Sequence, residues 1–361
     1  MSLFDSEDFA EHEQVVFCRD GCSGLSAIIA IHDTTLGPAV GGCRMRRYAF
    51  EDDAIRDALR LSRAMTYKNA MAELPLGGGK SVILGDPSSD KSEALLRAFG
   101  RCVDALGGRY VVAEDMGIGV RDIEIVARET RHVAGVSNRG GAGGDPSPFT
   151  AQGVLIGMRV AVEHRLGRSA LDGLRVAVQG VGAVGAHLCR LLHEENAELI
   201  VADRNPAAAA AAVAAFGARA VHPEDLLAEE MDVFAPCALG GVLDDAATCA
   251  LRASIVAGAA NNQLAQPKHG DRLAERGVLF VPDYVINAGG MLNVAAELAG
   301  DYEPDAVMES IAAIAERLRG ILREADAKGV APFRIADARV REKLDAARLG
   351  RSAPDAECGT R

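Results

Sequence analysis

The sequence has no long apolar run and no basic leader. Its longest apolar stretch lies between Pro206 and Arg219, consists mostly of alanine, and is shorter than the roughly 18–20 residues that cross a bilayer. The segment 1–13 carries acidic residues and no basic segment, unlike a signal peptide. We therefore expect a cytoplasmic protein without membrane association.

Basic residues are also in deficit, and cysteines are sparse. The 39 Lys and Arg residues are outnumbered by 51 Asp and Glu, which gives a formal net charge of −12. An acidic surface repels phosphate backbones, so nucleic acid is not an expected partner. Eight cysteines in 361 residues are too few for a disulfide scaffold. Cys18 and Cys22 form the only close pair, and no further ligands follow at metal-binding spacing, so we predict reduced thiols and no metal site.

Lysine is scarce among the basic residues. Only six of the 39 are lysine: Lys68, Lys80, Lys91, Lys268, Lys328 and Lys343. A lysine can lose its charge on burial, whereas an arginine cannot. A lysine in an apolar setting is therefore a slightly more informative choice in this sequence than usual, although a single such lysine can also be a structural residue whose ammonium group reaches solvent.

Two of these lysines fall in apolar settings. Helical spacing of apolar residues predicts a helix over Glu51–Tyr67, and Lys68 continues its apolar face. Lys80 follows a run of three glycines and begins a predicted strand, Lys80–Leu84. The glycines would let a small substrate approach the backbone, and burial suits a lysine to proton transfer.

Asp115 is the third member of this group. It follows an apolar strand predicted over Tyr110–Glu114, from which it could balance a lysine and relay a proton. Two buried lysines near each other favour an anionic ligand. A phosphate-binding P-loop is the alternative interpretation of the glycine run, but that motif needs a glycine where Leu74 stands.

The length predicts two domains, and the second half of the chain alternates strands with helices. Strands are predicted at Leu174–Gln179 and Glu198–Ala202, and helices at Ala183–Glu194 and Pro206–Phe216. Such alternation is typical of an α/β fold with a parallel sheet. A Gly- and Asn-rich stretch, Ser137–Pro148, is a predicted hinge or boundary.

A glycine-rich turn follows the first of these strands. Its G-x-G-x-x-G spacing is typical of a site for the pyrophosphate of a dinucleotide, and we predict that the whole turn contacts the cofactor: Gly180, Val181, Gly182, Ala183, Val184 and Gly185. Asp203 ends the second strand, where it would bind the ribose hydroxyls and favour NAD over NADP. Arg204 leaves NADP open, because an arginine there could pair with its additional phosphate.

Seven motifs together resemble the Glu/Leu/Phe/Val amino acid dehydrogenase superfamily, most closely its leucine dehydrogenases. They keep the family's order and spacing over about residues 14–345, and they lie at 41–45, 65–70, 76–80, 113–117, 144–150, 261–264 and 282–290. The resemblance implies the NAD-dependent, reversible oxidative deamination of a branched-chain L-amino acid, leucine foremost, to its 2-oxo acid and ammonia.

The resemblance also implies an architecture. Family members have an N-terminal α/β substrate and oligomerisation domain and a Rossmann dinucleotide-binding domain, with the active site in the cleft between them. On this chain the limits would be 1–135, with a C-terminal helix at about 332–361 packing back, and 136–331. A homo-oligomer is expected.

Roles for individual residues follow from the same resemblance. Lys80 would polarise the developing carbonyl and activate water, and Asp115 would shuttle protons with it. Lys68 would bind the substrate carboxylate, in a pocket lined by Gly41 and Gly42. The remaining implied residues are Asn262 for substrate amine and nicotinamide, Thr150 and Asn287 for the cofactor, and Val40, Ala113, Met291 and Val294 for the substrate side chain.

The apolar character of that last group argues against glutamate, whose second carboxylate would be unpaired there. A phenylalanine or valine dehydrogenase with the same mechanism is the alternative within the family. From a different class, a non-catalytic NAD-binding paralogue is the rival hypothesis, which the two retained lysines and Asp115 disfavour.

Overall fold

The computed structural model describes residues 4, 7–9, 11–136, 144–300 and 302–352. The chain divides into two compact units, Met1–Ala142 with Asp337–Arg361 and Gly143–Ala336. Both units combine helices with a β-sheet, so the predicted two-domain α/β class is confirmed. Of the predicted hinge, residues 137–143 lie outside the described ranges. In those ranges, no helix is both long and apolar enough to cross a membrane.

The first unit is built on a five-stranded mixed sheet with the order β1-β2-β4-β3-β5. Its elements are β1 (Gln14–Asp20), β2 (Leu25–Asp33), β3 (Ala39–Arg46), α1 (Glu51–Met71), β4 (Gly77–Leu84), α2 (Glu93–Asp104), β5 (Tyr110–Ala113), α3 (Val120–Val126) and most of α13 (Pro332–Ser352), with a 3-10 helix at Glu7–Phe9.

The sheet of this unit has two differently covered faces. Helix α1 covers one face, where Ala58 and Leu59 pack against Ile28 and Val82. A larger apolar cluster, which includes Phe99 of α2 and Ile123 of α3, covers the other. Side chains alternate between the faces along each strand, so the position of a residue in its strand decides which helix it meets.

Strand β3 was not expected from the sequence. It contains two adjacent glycines, Gly41 and Gly42, which have low strand propensity. Parallel pairing with β4 on one side and β5 on the other stabilises it nevertheless. Tertiary pairing therefore overrides local propensity at the centre of the sheet.

Helix α1 is longer than the predicted Glu51–Tyr67. Three acidic residues at 51–53 favour its N-terminus through the helix dipole. The helix continues to Met71 and ends just before Glu73, which takes a left-handed φ of 61°. The extension keeps Lys68 inside the helix on its buried side, at 6% exposure.

Polar contacts from three other parts of the first unit hold α1 in place. His32 of β2 bonds Oγ1 of Thr66 through Nδ1 at 2.8 Å, and Nε2 of His12 lies 2.9 Å from Oγ of Ser62. From the C-terminal helix α13, Lys343 donates through Nζ to the carbonyl of Ala70 at 2.9 Å. These contacts fix the helix that carries Lys68.

The second unit has a six-stranded sheet in which every strand pair is parallel, as the alternation of strands and helices predicted. Its elements are α4 (Ser147–Leu166), β6 (Arg175–Gln179), α5 (Ala183–Glu194), β7 (Glu198–Ala202), α6 (Pro206–Phe216), β8 (Arg219–Ala220), a 3-10 helix (Leu226–Ala228), β9 (Val233–Pro236), α7 (Asp245–Ala250), β10 (Ile255–Val256), α8 (Pro267–Glu275), β11 (Leu279–Phe280), α9 (Asp283–Ile286), α10 (Gly289–Ala299), α11 (Pro304–Ala312) and α12 (Ile314–Lys328).

The strand order of this sheet is β11-β10-β9-β6-β7-β8. Numbered from β6, this is the 3-2-1-4-5-6 order of the Rossmann fold. The order reverses between β6 and β9, and in such sheets ligands bind outside the carboxyl ends of the strands at that point. The glycine turn at Gly180 follows the carboxyl end of β6.

The buried histidine at position 32 makes the stability of the first unit depend on pH. Burial, together with the nearby His12 and arginines, lowers the pKa of His32 from 6.5 to about 3. The unfolded chain therefore binds a proton that the native state excludes between these pH values. As the pH is lowered through this window, we expect the free energy of unfolding to fall by about 1.4 kcal/mol for each pH unit from His32 alone.

Chemical denaturation at several pH values between about 4 and 7, which is roughly the range in which histidine titrates, measures this pH dependence of the free energy of unfolding. A His32→Gln variant, which cannot titrate, should lose that part of the slope. His193→Gln changes an exposed histidine and serves as the matched control. Equal slopes in the wild type and the His32 variant would contradict the prediction.

Candidate active site

Lys80 and Asp115 form an ion pair. Lys80 lies in the middle of β4 at 4% exposure, and its Nζ is 2.6 Å from Oδ2 of Asp115, which follows β5. Burial alone raises the pKa of Asp115, but the positive charges of Lys80 and Arg44 outweigh it, so this pKa lies below the usual aspartate range. The ionised carboxylate thus stabilises a buried ammonium group.

Gly42 makes this contact possible. The β3–β4 register that pairs Val40 with Gly78 and Cys43 with Ser81 brings Gly42 alongside Lys80, and Gly42 pairs with Ala113 on the other side. A Cβ at Gly42 would lie 2.8 Å from Cβ of Asp115 and 2.4 Å from the carbonyl oxygen of Glu114. Asp115 therefore reaches Lys80 across a strand position that has no side chain.

Arg44 is a site residue that the sequence did not single out. Its Nε lies 3.1 Å from Oδ2 of Asp115, the oxygen that Lys80 also contacts. Its other end bonds Asp57 of α1. The signal was present, because Arg44 stands two residues after Gly42 and so shares its face of a strand, but β3 itself was not predicted.

The other predicted residues of the first unit lie on α1, β3 and β5, and not all of them share the face of Gly42. Lys68 is buried on α1, the helix that covers this face. Val40 is fully buried and Ala113 is 9% exposed. Gly41 accepts a hydrogen bond at its carbonyl from Tyr110 Oη at 2.9 Å. The structure thus collects residues from α1, β3, β4 and the end of β5 around one region of the sheet.

The run Gly77-Gly78-Gly79 has a packing role, and the approach of a substrate to its backbone stays a prediction. The run belongs to β4, which begins at Gly77 and not at Lys80. A Cβ at Gly78 would lie 2.0 Å from the backbone nitrogen of Thr66, and one at Gly79 would lie 2.6 Å from the ring of Tyr110. These glycines let α1 and Tyr110 pack directly on the strand.

The glycine turn of the second unit has the backbone that an anion site requires. Gly180 has φ of 93°, which only glycine adopts readily. A Cβ at Gly185 would lie 2.0 Å from the carbonyl oxygen of Gly180. Gly182 has open space around it, and as the N-cap of α5 it has no side chain to bond the first N–H groups. Those N–H groups are available to a phosphate.

Asp203 is held beside this turn. Its Oδ2 accepts from the backbone N–H of Val181 at 2.8 Å, and its Oδ1 accepts from that of Asn205 at 2.7 Å. Arg204 is exposed. The carboxylate is therefore fixed next to the turn, while the neighbouring arginine faces solvent.

Two of the remaining predicted residues of the second unit lie in loops: Asn262 between β10 and α8, and Asn287 between α9 and α10. Asn262 has a left-handed φ of 52°, and its N–H donates to Oδ2 of Asp283 at 2.6 Å. Asn287 is buried and donates to Oδ1 of Asn261 at 3.0 Å, while its own Oδ1 has no hydrogen-bond partner among the described residues. Buried polar atoms normally have partners, so this oxygen is suited to a ligand.

The other three predicted residues of the second unit lie in helices. Thr150 of α4 donates through Oγ1 to the carbonyl of Pro146 at 3.1 Å. In α10, Met291 is half-buried and Val294 is buried. Across the described ranges of the chain, no group of three or more His, Cys, Asp or Glu side chains is suited to holding a metal ion.

Comparison with known proteins gives two family matches. The family described as "Glu/Leu/Phe/Val dehydrogenase, dimerisation domain" matches residues 12–132, and the family described as "Glutamate/Leucine/Phenylalanine/Valine dehydrogenase" matches residues 204–348. Together they span parts of both units.

Individual proteins are similar over nearly their whole length. A leucine dehydrogenase of Geobacillus stearothermophilus is 51% identical over 352 residues, which are 98% of this chain and 96% of that protein. A valine dehydrogenase of Streptomyces virginiae is 47% identical over 359 residues, 96% of this chain and 97% of that one. The crystal structure of L-tryptophan dehydrogenase from Nostoc punctiforme superposes with a TM-score of 0.75 at 43% identity, covering 94% and 97% of the two chains.

A Rossmann unit with an open glycine turn, joined to an α/β unit with a buried lysine–aspartate pair, defines a two-domain dehydrogenase. The chain belongs to the Glu/Leu/Phe/Val dehydrogenase family. The predicted family and the predicted amino acid dehydrogenase class are confirmed.

Replacing Gly42 by alanine tests the geometry of the site. The added Cβ would force Asp115 or its backbone away from Lys80, and a displacement of about 1 Å in a catalytic group can cost roughly 100-fold in rate. We expect kcat of amino acid oxidation to fall by about that factor, measured by steady-state kinetics.

The matched control is Gly21→Ala, because a Cβ at Gly21 meets nothing within 4 Å. It should keep the wild-type rate. A Gly42→Ala enzyme with wild-type kcat would show that the close passage of Asp115 over this strand does not matter for the reaction.

Proposed function

We propose that the chain catalyses the reversible, NAD-dependent oxidative deamination of a branched-chain L-amino acid, leucine foremost, to its 2-oxo acid and ammonia. The observation that carries this proposal is the buried Lys80–Asp115 pair, with its 2.6 Å contact. The 51% identity to a leucine dehydrogenase along nearly the whole chain supports leucine as the substrate.

The second unit fits a dinucleotide. Open space at Gly182 and a helix N-terminus at α5 without a capping side chain suit a pyrophosphate. The turn residues Gly180, Val181, Gly182, Ala183, Val184 and Gly185 would hold it, and Asp203 would bind the adenosine ribose. Thr150, Asn262 and Asn287 would contact the nicotinamide side, where the unpaired Oδ1 of Asn287 offers an acceptor.

The first unit supplies the substrate contacts and the acid–base chemistry. Lys68 binds the substrate carboxylate through its ammonium group, in a pocket lined by Gly41 and Gly42. NAD, when bound, would supply the acceptor for the hydride of the substrate Cα. Once the pair has released its proton to solvent, the neutral amine of Lys80 takes a proton from the water that adds to the resulting imine, and the ammonium group so formed stabilises the tetrahedral adduct. Asp115 exchanges that proton with Nζ of Lys80 across their 2.6 Å contact.

The substrate side chain would meet apolar residues only. None of the four residues that the resemblance implies for the side chain, Val40, Ala113, Met291 and Val294, carries a group that could pair with a second carboxylate. An unpaired carboxylate there costs several kcal/mol, about enough to exclude glutamate. A valine or phenylalanine preference is the second candidate, which the 47% identity to a valine dehydrogenase supports for valine.

We further propose that the folded domains are 1–135 with about 332–361, and 136–331, and that the protein is a homo-oligomer. The match of residues 12–132 to a family named for dimerisation supports the homo-oligomer. The cytoplasmic location stays a prediction.

Turnover of a panel of L-amino acids with NAD tests the function. We expect leucine, isoleucine and valine to give higher kcat/KM than phenylalanine, and glutamate to give no turnover. Lys80→Ala should lower kcat by about 10²–10⁴-fold, the usual contribution of a general acid–base group. Lys268→Ala removes an exposed lysine and should keep the wild-type rate.

The other outcomes are informative. Turnover led by phenylalanine would contradict the pocket interpretation and keep the mechanism. NAD binding without turnover of any amino acid would favour a non-catalytic paralogue. Near-normal turnover by Lys80→Ala would contradict the assigned role of this lysine.

Cofactor choice has its own test at Asp203. The carboxylate beside the turn would repel the additional phosphate of NADP. We expect Asp203→Ser to raise the ratio of kcat/KM with NADP to kcat/KM with NAD by at least about 10-fold, or about 1.4 kcal/mol. The ratio is the readout, because losing the bond to Val181 lowers activity with both cofactors.

Asp225→Ser removes an exposed carboxylate of the same unit and should leave the ratio unchanged. An unchanged ratio in Asp203→Ser, or a wild type that prefers NADP, would contradict the proposed role of Asp203.

A further inference from the structure

We propose that Arg44 is a positioning residue for the reaction: it holds the carboxylate of Asp115 against Lys80 and, balanced by Asp57, sets the pH at which the pair releases its proton. The inference rests on the proposed function, because it concerns the acid–base step assigned to Lys80 and Asp115.

Arg44 bridges two carboxylates. Its Nε lies 3.1 Å from Oδ2 of Asp115, and its Nη1 lies 3.0 Å from Oδ2 of Asp57. The side chain is only 12% exposed, so these contacts are little screened by water. A planar guanidinium fixed at both ends has little freedom to move. It therefore defines where the Asp115 carboxylate lies.

The far end of this bridge is anchored in turn. Asp57 accepts a hydrogen bond from Oη of Tyr48 at 2.6 Å. Burial, followed by the contact with Asp57, raises the pKa of Tyr48, so its hydroxyl keeps its proton and remains a donor. The chain of contacts runs from Tyr48 through Asp57 and Arg44 to Asp115, and it ends at Lys80.

Asp115 needs a second contact besides Lys80 to keep its carboxylate in place. Lys80 and Arg44 both contact Oδ2 of Asp115. When Lys80 turns to the substrate or releases its proton, its hold on the carboxylate weakens. Arg44 keeps the carboxylate in position during that step, because an arginine stays charged at every working pH.

The charges around the pair are balanced. The titratable groups that interact electrostatically with Asp115 come from three strands: Lys80 of β4, Arg44 and Cys43 of β3, and Tyr110 of β5. Burial raises the pKa of Cys43 to about 12 and that of Tyr110 well above its usual value, so both are neutral. Beyond them, Asp122 of α3 is paired with Lys91 at 2.7 Å.

The groups that are linked directly by ion pairs are two cations, Lys80 and Arg44, and two anions, Asp115 and Asp57. Removing one cation leaves the cluster negative, and it then holds its proton more tightly. Removing one anion has the opposite effect. A charge this close typically shifts a titration midpoint by about 1–3 units, and the midpoint belongs to the coupled cluster rather than to one residue.

The experiment is the pH dependence of kcat/KM for leucine oxidation in the full-length enzyme, since this profile reports groups of the free enzyme. We expect Arg44→Met to move the ascending limb to higher pH by about one unit, and Asp57→Asn to move it to lower pH. Arg44→Lys keeps the charge and should stay near the wild-type midpoint, with reduced kcat, because lysine lacks the fork that bridges both carboxylates.

Arg47→Met is the matched control, because it removes a positive charge from a side chain that is 73% exposed. Its profile should coincide with that of the wild type. Opposite shifts in Arg44→Met and Asp57→Asn support the proposal, since a merely structural role would lower activity without moving the midpoint in opposite directions.

Lowered rates with unmoved midpoints would overturn the inference and leave the proposed function intact. If Arg44→Met fails to fold, the midpoint of Asp57→Asn and the rescue by Arg44→Lys decide the question. A wild type without amino acid oxidation overturns the proposed function and this inference together, and it is seen before any variant is compared.

Discussion

The contact between a buried ammonium group and the carboxylate across the neighbouring strand constrains the first unit. A lysine charge inside a sheet is costly unless a carboxylate neutralises it. Asp115 follows β5, whereas Lys80 lies two strands away on β4, so the carboxylate must pass over β3. Gly42 leaves the room for that passage, and Arg44, two residues later on the same face, holds the arriving carboxylate. The centre of the sheet is thus built around one ion pair.

Close approach of backbones recurs through the molecule, and glycine allows it each time. Gly78 lets α1 lie directly on β4, which keeps the helix carrying Lys68 against the strand carrying Lys80. In the second unit, Gly185 lets α5 begin against the turn at Gly180. The same property therefore serves packing in both units, and in the second it shapes the turn that we propose as an anion site. A glycine run in a sequence does not by itself distinguish these uses.

The elements that the sequence predicts well are those whose signals lie within one short segment of the chain. The strand, turn and helix around Gly180 were recognised because strand periodicity, glycine spacing and the acid at position 203 agree within one short segment. The buried face of α1 was visible as helical periodicity. Strand β3 was missed because its two glycines have low strand propensity, and its stability comes from pairing on both sides. Since β3 was missed, the shared face of Gly42 and Arg44 was missed as well.

By itself, the sequence determined the α/β class, the parallel sheet of the second unit, the glycine turn after β6 and the choice of Lys68, Lys80 and Asp115 as chemically unusual residues. These features depend on neighbours close along the chain. Only the tertiary structure decided that the glycines at 77–79 serve packing and that Arg44 shares an oxygen of Asp115 with Lys80. Such contacts join residues far apart in sequence, because strand order and register are set by the packing of the whole sheet and no local pattern encodes them.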